Sequence, residues 1–325
     1  MTAVPHSADQ DAKDRDPQQR EQAIDAELIY LAFGVEYATM AWHSARTAQR
    51  SNPNLKKTLV TNLRFDADCS ASPFEKTIEV ESHDLDNRHY KTRICNFVES
   101  TLFCYVDADT TINRDLSPIF RALDWFDLAA KPEGTLTNKD YEIAPQLAAY
   151  EGLPAWNGGV FFARNKRAVT QLFERWHQWY VRDGKQKDQP TLHAAITQST
   201  DVRVLPLHPF WNHMFKEELR IPHKNKTPAI THYRSPTEYP QVAKGLEQEL
   251  ELLSASLKGR DAERDTEVSS YRRKLKTIRK TRSGIIGKLG IGKLAATIAL
   301  LAQGASLREI RGKRKPGQSH DRKKL

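Results

Sequence analysis

The apolar run Leu28-Ile-Tyr-Leu-Ala-Phe33, closed by Gly34, constrains this chain more than any other stretch of it. Continuous apolarity of that length describes a strand buried on both faces, as strands of a parallel sheet are. The residues from about Val35 to Arg50 predict a helix, which Asn52-Pro53-Asn54 breaks, and Thr58-Leu-Val-Thr61 predicts a second strand. Strand, helix and strand in such quick succession make a βαβ unit, and a βαβ unit requires parallel neighbours. Further strands are expected at Leu102–Val106, Phe126–Ala130, Val160–Ala163 after the pair Gly158-Gly159, and Val202–Pro206. Leu116-Ser-Pro-Ile-Phe reads as a helix start or a turn, and 141–150 as a polar loop or short helix. Val169–Val181 carries apolar residues at helical spacing. Trp176 and Trp179 on it could form a sugar-stacking platform, but packing alone produces the same spacing, so a core stripe is the simpler reading. A helix is also expected at Asp188–Ile196, with Pro190 near its start. The fold expected is therefore α/β, a mixed and mainly parallel sheet flanked by helices.

Charge divides the chain. The net charge is +9, but residues 258–325 alone carry +14 and the preceding body carries −5. Residues 1–22 are polar and charged and are expected to be disordered. No apolar segment near Met1 resembles a secretory signal, which leads to the expectation of a cytoplasmic protein. The cysteines, Cys69, Cys95 and Cys104, are odd in number and form no C-x-x-C pair, so neither a disulfide framework nor a zinc ribbon is expected. Residues 241–282 read as a charged helical extension without a sharp apolar stripe. Residues 283–325 read as an apolar and then basic tail, suited to an anionic membrane surface, with a solvated disordered tail as the plainer alternative. The tail has few aromatics and no zinc or RNA-binding motif, so nucleic acid is not an expected partner.

The chemistry centres on Phe103-Cys-Tyr-Val-Asp-Ala-Asp-Thr-Thr-Ile112. Asp107 and Asp109 follow an apolar strand and stand two apart, so on extended chain both carboxylates point one way. They converge at the carboxyl end of a strand, where open α/β sheets bind ligands. Oxygen donors suit Mg²⁺ or Mn²⁺ better than zinc. Taken alone, the pair also fits a solvated strand-end turn.

The longer segment Tyr105-Val-Asp-Ala-Asp-Thr-Thr-Ile-Asn-Arg-Asp-Leu-Ser-Pro-Ile-Phe120 resembles the signature of GT-A nucleotide-diphospho-sugar transferases, which have a Rossmann-like sheet. In chain order, Phe33-Gly34-Val-Glu-Tyr37 resembles the nucleotide-contacting turn of that family. Trp156-Asn-Gly-Gly-Val-Phe-Phe162 resembles its sugar and acceptor segment, Asp188-Gln189-Pro190 its later acidic element, and Ile230-Thr-His-Tyr-Arg234 its C-terminal histidine segment. The likeness spans residues 26–236, within an expected catalytic domain of 23–240. It implies a metal-dependent glycosyltransferase that takes a nucleoside-diphosphate sugar as donor and a hydroxyl of a glycan, lipid or protein as acceptor. It implies Asp109 and His232 as direct Mn²⁺ or Mg²⁺ ligands, and Asp107 as a ribose contact or a water-mediated ligand. Phe33, Gly34, Tyr37 and Gly158 would face the donor, with Lys91, Arg93 and Arg234 offsetting diphosphate charge. Asn157, Asp188 and Gln189 would orient the reacting groups; Asp188 would be the base of an inverting reaction, whereas a retaining one needs none. The family pattern is broken at Thr61-Asn62, where an acidic residue is common, and at Ser235, where glycine is frequent.

Two other readings compete. Asp107-Ala-Asp-Thr-Thr111 also fits the first motif of haloacid-dehalogenase-type phosphatases, with Asp107 as nucleophile. That fold opens with the motif strand, whereas here a βαβ unit precedes it. A non-enzymatic protein acting through its basic tail on membrane or nucleic acid is the second alternative.

Overall fold

The computed structural model describes residues 24–66, 69–81, 87–137, 140, 152–182, 184, 187–214, 227–233, 242–259 and 262–279. The expectations for residues 1–22, 141–150 and 283–325 and for Arg234 fall outside them. The chain begins with β1 (Ala26–Ala32), buried along its whole length. Even Glu27 is enclosed, and its carboxylate accepts hydrogen bonds from the backbone N–H groups of Glu99 and Ser100 at 2.7 and 2.9 Å and from the Thr58 hydroxyl at 2.8 Å. A buried carboxylate is tolerated when its lone pairs are satisfied in this way.

Helix α1 (Gly34–Ser51) leads to β2 (Lys56–Thr61) and β3 (Lys76–Glu79). Gly34 has φ of +73°, a left-handed conformation that glycine adopts without strain. Its N–H donates to Asn62 Oδ1 at 2.9 Å, so the asparagine that departs from the family pattern holds the turn after β1. Next come α2 (Asn87–Lys91), β4 (Leu102–Asp107), β5 (Thr110–Ile112), α3 (Ser117–Ala122), β6 (Leu128–Thr135) and β7 (Pro154–Arg164). Helices α4 (Arg167–Arg182) and α5 (Asp188–Thr197) precede β8 (Val204–Pro206), β9 (His213–Met214) and β10 (Ile230–His232). Helix α6 (Ala243–Ser256) and helix α7 (262–279) follow.

The main sheet has seven strands in the order β3-β2-β1-β4-β7-β6-β8. Every pairing is parallel except those of β7, which runs antiparallel to both β4 and β6. Beta strands β5, β10 and β9 form a small second sheet beside it. Side chains alternate between two cores across the main sheet. Leu28, Tyr30, Cys104 and Phe162 face α1, α6 and α7. Ile29, Phe103, Tyr105 and Phe161 face α4 and α5.

Three local expectations are corrected. Gly158 and Gly159 lie inside β7 rather than before it, because the strand starts at Pro154. Beta strand β6 begins at Leu128 and runs five residues past Ala130, with register irregularities around Pro132. Residues 241–282 do carry an apolar stripe: Leu246, Leu250 and Leu253, then Val268, Tyr271 and Leu275, are buried in the α1 core. Charged residues interleave with them and hide the helical spacing in the sequence. Trp176 is buried against Phe161 and Phe173 at centroid distances of 6.2 and 5.4 Å, the core reading rather than a sugar platform.

Candidate active site

Beta strand β4 emerges next to β1, with Leu31 beside Asp107. Beta strand β2 lies on the other side of β1, so the strand order reverses here, and the crevice beyond such strand ends is where open α/β sheets hold ligands. Asp107 is anchored from below: the Tyr105 hydroxyl donates to its Oδ1 at 2.6 Å, and the Tyr105 ring stacks on Phe161 at 5.0 Å. The Thr110 hydroxyl donates to the Asp107 carbonyl at 3.0 Å and meets Ser44 Oγ at 2.8 Å, fixing the turn that aims Asp109.

His232 arrives from 122 positions downstream of Thr110 through the register of the small sheet, which places the two opposite each other. The Tyr233 N–H donates to the Asp109 carbonyl at 2.8 Å and secures that approach. His232 Nε2 lies 3.2 Å from Asp109 Oδ1 and 3.8 Å from Asp107 Oδ2. Its other ring nitrogen, Nδ1, faces Asn212 Oδ1 at 3.3 Å. A ring held from behind presents one nitrogen forward, which is how metal-binding histidines are oriented. One ligand atom from each of Asp107, Asp109 and His232 falls within 4.8 Å of the others.

Gly159 makes this convergence possible. A Cβ there would stand 2.3 Å from His232 Cε1 and 2.6 Å from Asp107 Oδ2, so any other residue would push the two ligands apart. Gly158 has no such demand, since a Cβ would meet only ordinary contacts. Two carboxylates and one imidazole in a cradle that excludes a side chain fit a hard divalent cation such as Mn²⁺ or Mg²⁺.

Lys91, at the end of α2, lies between two carboxylates, 3.2 Å from Asp107 Oδ1 and 3.0 Å from Asp188 Oδ2. Arg88 approaches the other Asp188 oxygen at 3.6 Å. Burial pushes the Asp107 carboxyl up, and the like charge of Asp109 adds to this, outweighing the pull of Lys91 and His232. Asp188 is the opposite case: burial opposes its charge, but Lys91 and Arg88 hold it below the usual value. Burial disfavours protonated His232, yet the bond to Asp109 and the field of both aspartates raise its pKa. Lys91 is likewise raised, because Asp107 and Asp188 outweigh its desolvation.

These groups open onto a polar cavity of about 280 Å³ lined by Lys91, Asp107, Glu133, Asn157, Asp188 and Gln189. Its walls are joined. Asn157 Oδ1 accepts from Gly159 N–H and Asn212 Nδ2, each at 2.9 Å, while its Nδ2 donates to Glu133 Oε2 at 2.5 Å. Gln189 Nε2 donates to the same Glu133 oxygen at 3.3 Å.

The structure thus gathers Asp107, Asp109, His232, Lys91, Asn157, Gly158, Asp188 and Gln189 around one cavity. Phe33, Gly34 and Tyr37 line a second cavity at the end of β1. Arg93 does not join them; it borders a third groove with Cys95 and His177, because the backbone turns between Lys91 and the short helical turn Ile94–Phe97. Sequence reasoning missed Glu133 and Asn212. Pro132 and Gly134 beside Glu133 were the available sign of a strand irregularity, which commonly re-aims a side chain at a site. Asn212 follows Trp211 in a loop and carried no sign. The phosphatase reading needs its lysine after the motif, whereas the lysine at Asp107 precedes it.

Residues 100–239 match the nucleotide-diphospho-sugar transferase family. Over that segment the chain is similar to nucleotide-diphospho-sugar transferases. All the gathered residues except Lys91 lie within the matched span. No curated protein sequence matches the chain. Among solved structures, an active-site mutant of LgtC is 14% identical with a TM-score of 0.50, the match covering 74% of this chain and 99% of that one. The galactosyltransferase LgtC in complex with donor and acceptor sugar analogues is 13% identical with a TM-score of 0.49 over 74% and 99% of the two chains. GlyE of Streptococcus pneumoniae TIGR4 is 15% identical with a TM-score of 0.48, covering 78% of this chain and 64% of that one. At such identities the likeness to LgtC is one of fold, and the chain has the GT-A architecture expected of it.

Proposed function

We propose that the protein is a metal-dependent glycosyltransferase and moves a sugar from a nucleoside-diphosphate donor to an acceptor hydroxyl, on a glycan, lipid or protein. The observation that carries this reading is the convergence of Asp107, Asp109 and His232 at the strand ends beside the Lys91 cation. Asp107, Asp109 and His232 would hold Mn²⁺ or Mg²⁺, which supplies charge stabilisation to the departing diphosphate. Lys91 places a second positive charge on the same side of the cavity. Asn157, Gln189 and Glu133 offer amide and carboxylate groups that match sugar hydroxyls, and their mutual hydrogen bonds hold them in place before a ligand arrives.

The same proposal places the protein in the cytoplasm, with its tail at an anionic membrane surface. The three cysteines are unpaired, as in a reducing compartment. No described helix is long and apolar enough to cross a membrane.

A panel of nucleotide sugars, incubated with Mn²⁺ and separately with chelator, tests the donor and metal together. Nucleoside diphosphate is expected to appear with one donor and to vanish with chelator. Undiminished turnover in chelator would remove the metal from the reading. Phosphate release from a simple phosphate ester, with no turnover of any nucleotide sugar, would remove the transfer reaction itself.

A further inference from the structure

Two buried amides, Asn157 and Asn212, stand in line behind His232. A buried amide can be set either way round, and the groups beside it decide which end is the oxygen. Two groups beside Asn157 have fixed roles. The Gly159 N–H only donates and lies 2.9 Å from one end of the amide; the Glu133 carboxylate only accepts and lies 2.5 Å from the other. The first end is therefore Oδ1 and the second Nδ2. The same Oδ1 meets the Asn212 amide at 2.9 Å, so Asn212 turns its Nδ2 toward it. That leaves Asn212 Oδ1 against His232 Nδ1 at 3.3 Å, and because this oxygen only accepts, the hydrogen belongs to Nδ1.

Reversing any member of this line is costly. Asn212 has no solvent contact, so turning its amide over would set oxygen against oxygen at 2.9 Å with no water to relieve it. The far end is shared, since Gln189 Nε2 donates to the Glu133 oxygen that Asn157 uses. The second hydrogen of Asn157 Nδ2 reaches Met214 Sδ at 4.0 Å, a weak acceptor. At the near end, His232 Nε2 faces Asp109 and Asp107.

We propose that Asn212 is the positioning residue of His232, and that Asn157 and Glu133 act through it. The line fixes the hydrogen on Nδ1 and turns Nε2 toward Asp107 and Asp109 as the ligand atom. Asn157 thus serves the cation while bonding to none of its ligands, and the far wall of the cavity is wired to the metal-binding corner. This inference rests on the metal reading above.

Titration calorimetry of the full chain with Mn²⁺ alone tests it, with a melting curve for each variant. Asn212→Leu is expected to weaken Mn²⁺ about 10–100-fold, the usual cost of losing the partner behind a metal-binding histidine. Asn212→Asp keeps an acceptor for the Nδ1 hydrogen and is expected to stay within about threefold of the wild type. Asn157→Ala is expected to cost about threefold, the value of one hydrogen bond, and to add nothing to Asn212→Leu in the double variant. Proton NMR of the wild type at saturating Mg²⁺ is expected to show one slowly exchanging imidazole N–H that His232→Gln removes. Asn212→Leu should lose that protection, which a purely structural role would leave in place. Wild-type affinity in Asn212→Leu overturns the proposal. So does a double variant whose loss is the product of the two single losses, because Asn157 would then act independently. If Asn212→Leu does not fold, the wild-type spectrum decides, since rapid exchange of the His232 N–H overturns the proposal without any variant. A wild type that binds neither cation overturns the metal reading and this relay with it, whereas a chain that binds Mn²⁺ but turns over no nucleotide sugar loses the donor reading alone.

Discussion

Asp107 and Asp127 stand at opposite ends of the same sheet and illustrate two settings for a carboxylate, Asp107 half-buried and Asp127 buried. Asp127 precedes the amino end of β6, where Lys166 lies 2.7 Å and Arg203 3.3 Å away. Burial opposes its ionisation, but these partners and the Arg203 N–H bring its pKa down to about 2. Asp107 closes the carboxyl end of β4, where burial and Asp109 raise its pKa despite Lys91. The first carboxylate is fully compensated by protein and fixes a loop to a strand. The second is left with like charge beside it, and under the proposed function an external cation would supply the missing compensation. Compensation within the chain marks architecture, and its shortfall marks a place for a ligand.

The largest expected effect is on the undercompensated side. Asp109→Asn is expected to slow sugar transfer on the order of 10²–10³-fold, with a thermal midpoint close to that of the wild type, as initial rates and a melting curve would report. Wild-type rates would end the claim that the carboxylate pair needs a cation. Lys91→Met is expected to destabilise the chain by about 3 kcal/mol, the low end for a broken buried pair because both carboxylates keep some solvent contact. Urea denaturation measures it, and a loss below a few tenths would mean that Asp107 and Asp188 are compensated elsewhere.

Asp127→Asn sharpens the other side of the comparison. A depressed pKa contributes stability above the unfolded value and loses it as pH falls through the folded one. The variant is therefore expected to be about 2 kcal/mol less stable at neutral pH. It should also lack the wild-type decline between the ordinary 3.8 and about 2. Parallel urea titrations across that window would show it. The smallest effect concerns His232, whose raised pKa means that the metal-free ion pair stabilises fully below the ordinary 6.5 and fades as pH climbs through the folded value. Metal must displace that proton, so Mn²⁺ affinity is expected to strengthen by up to about tenfold per pH unit over the same window. Affinity independent of pH there would take His232 out of the ligand set.

Much of this was legible in the sequence, for identifiable reasons. The runs at Leu28–Phe33 and Leu102–Val106 are buried on both faces, so continuous apolarity revealed them. Asp107 and Asp109 were readable because their spacing is local. His232 was reachable only through the resemblance, since its position depends on the pairing of β10 with β5. Glu133 stayed hidden because a strand irregularity aims it, and Arg93 misled because two residues beyond Lys91 the backbone has turned to another groove. The stripe on α6 and α7 was obscured by charged residues on the opposite faces, and no local rule says that those helices cover α1.

That cover has a consequence for the order in which the protein can be made. Helix α1 is synthesised early, yet the residues that enclose it lie more than 200 positions later, as the pairing of Val35 with Glu267 shows. At ribosomal speeds of roughly 5–20 residues per second, the nascent chain carries a partly uncovered helix for roughly twelve to forty-six seconds. During that interval it is a client for chaperones and a target for aggregation, and a ribosome that stalls before α7 releases a chain whose first helix never finds its partner.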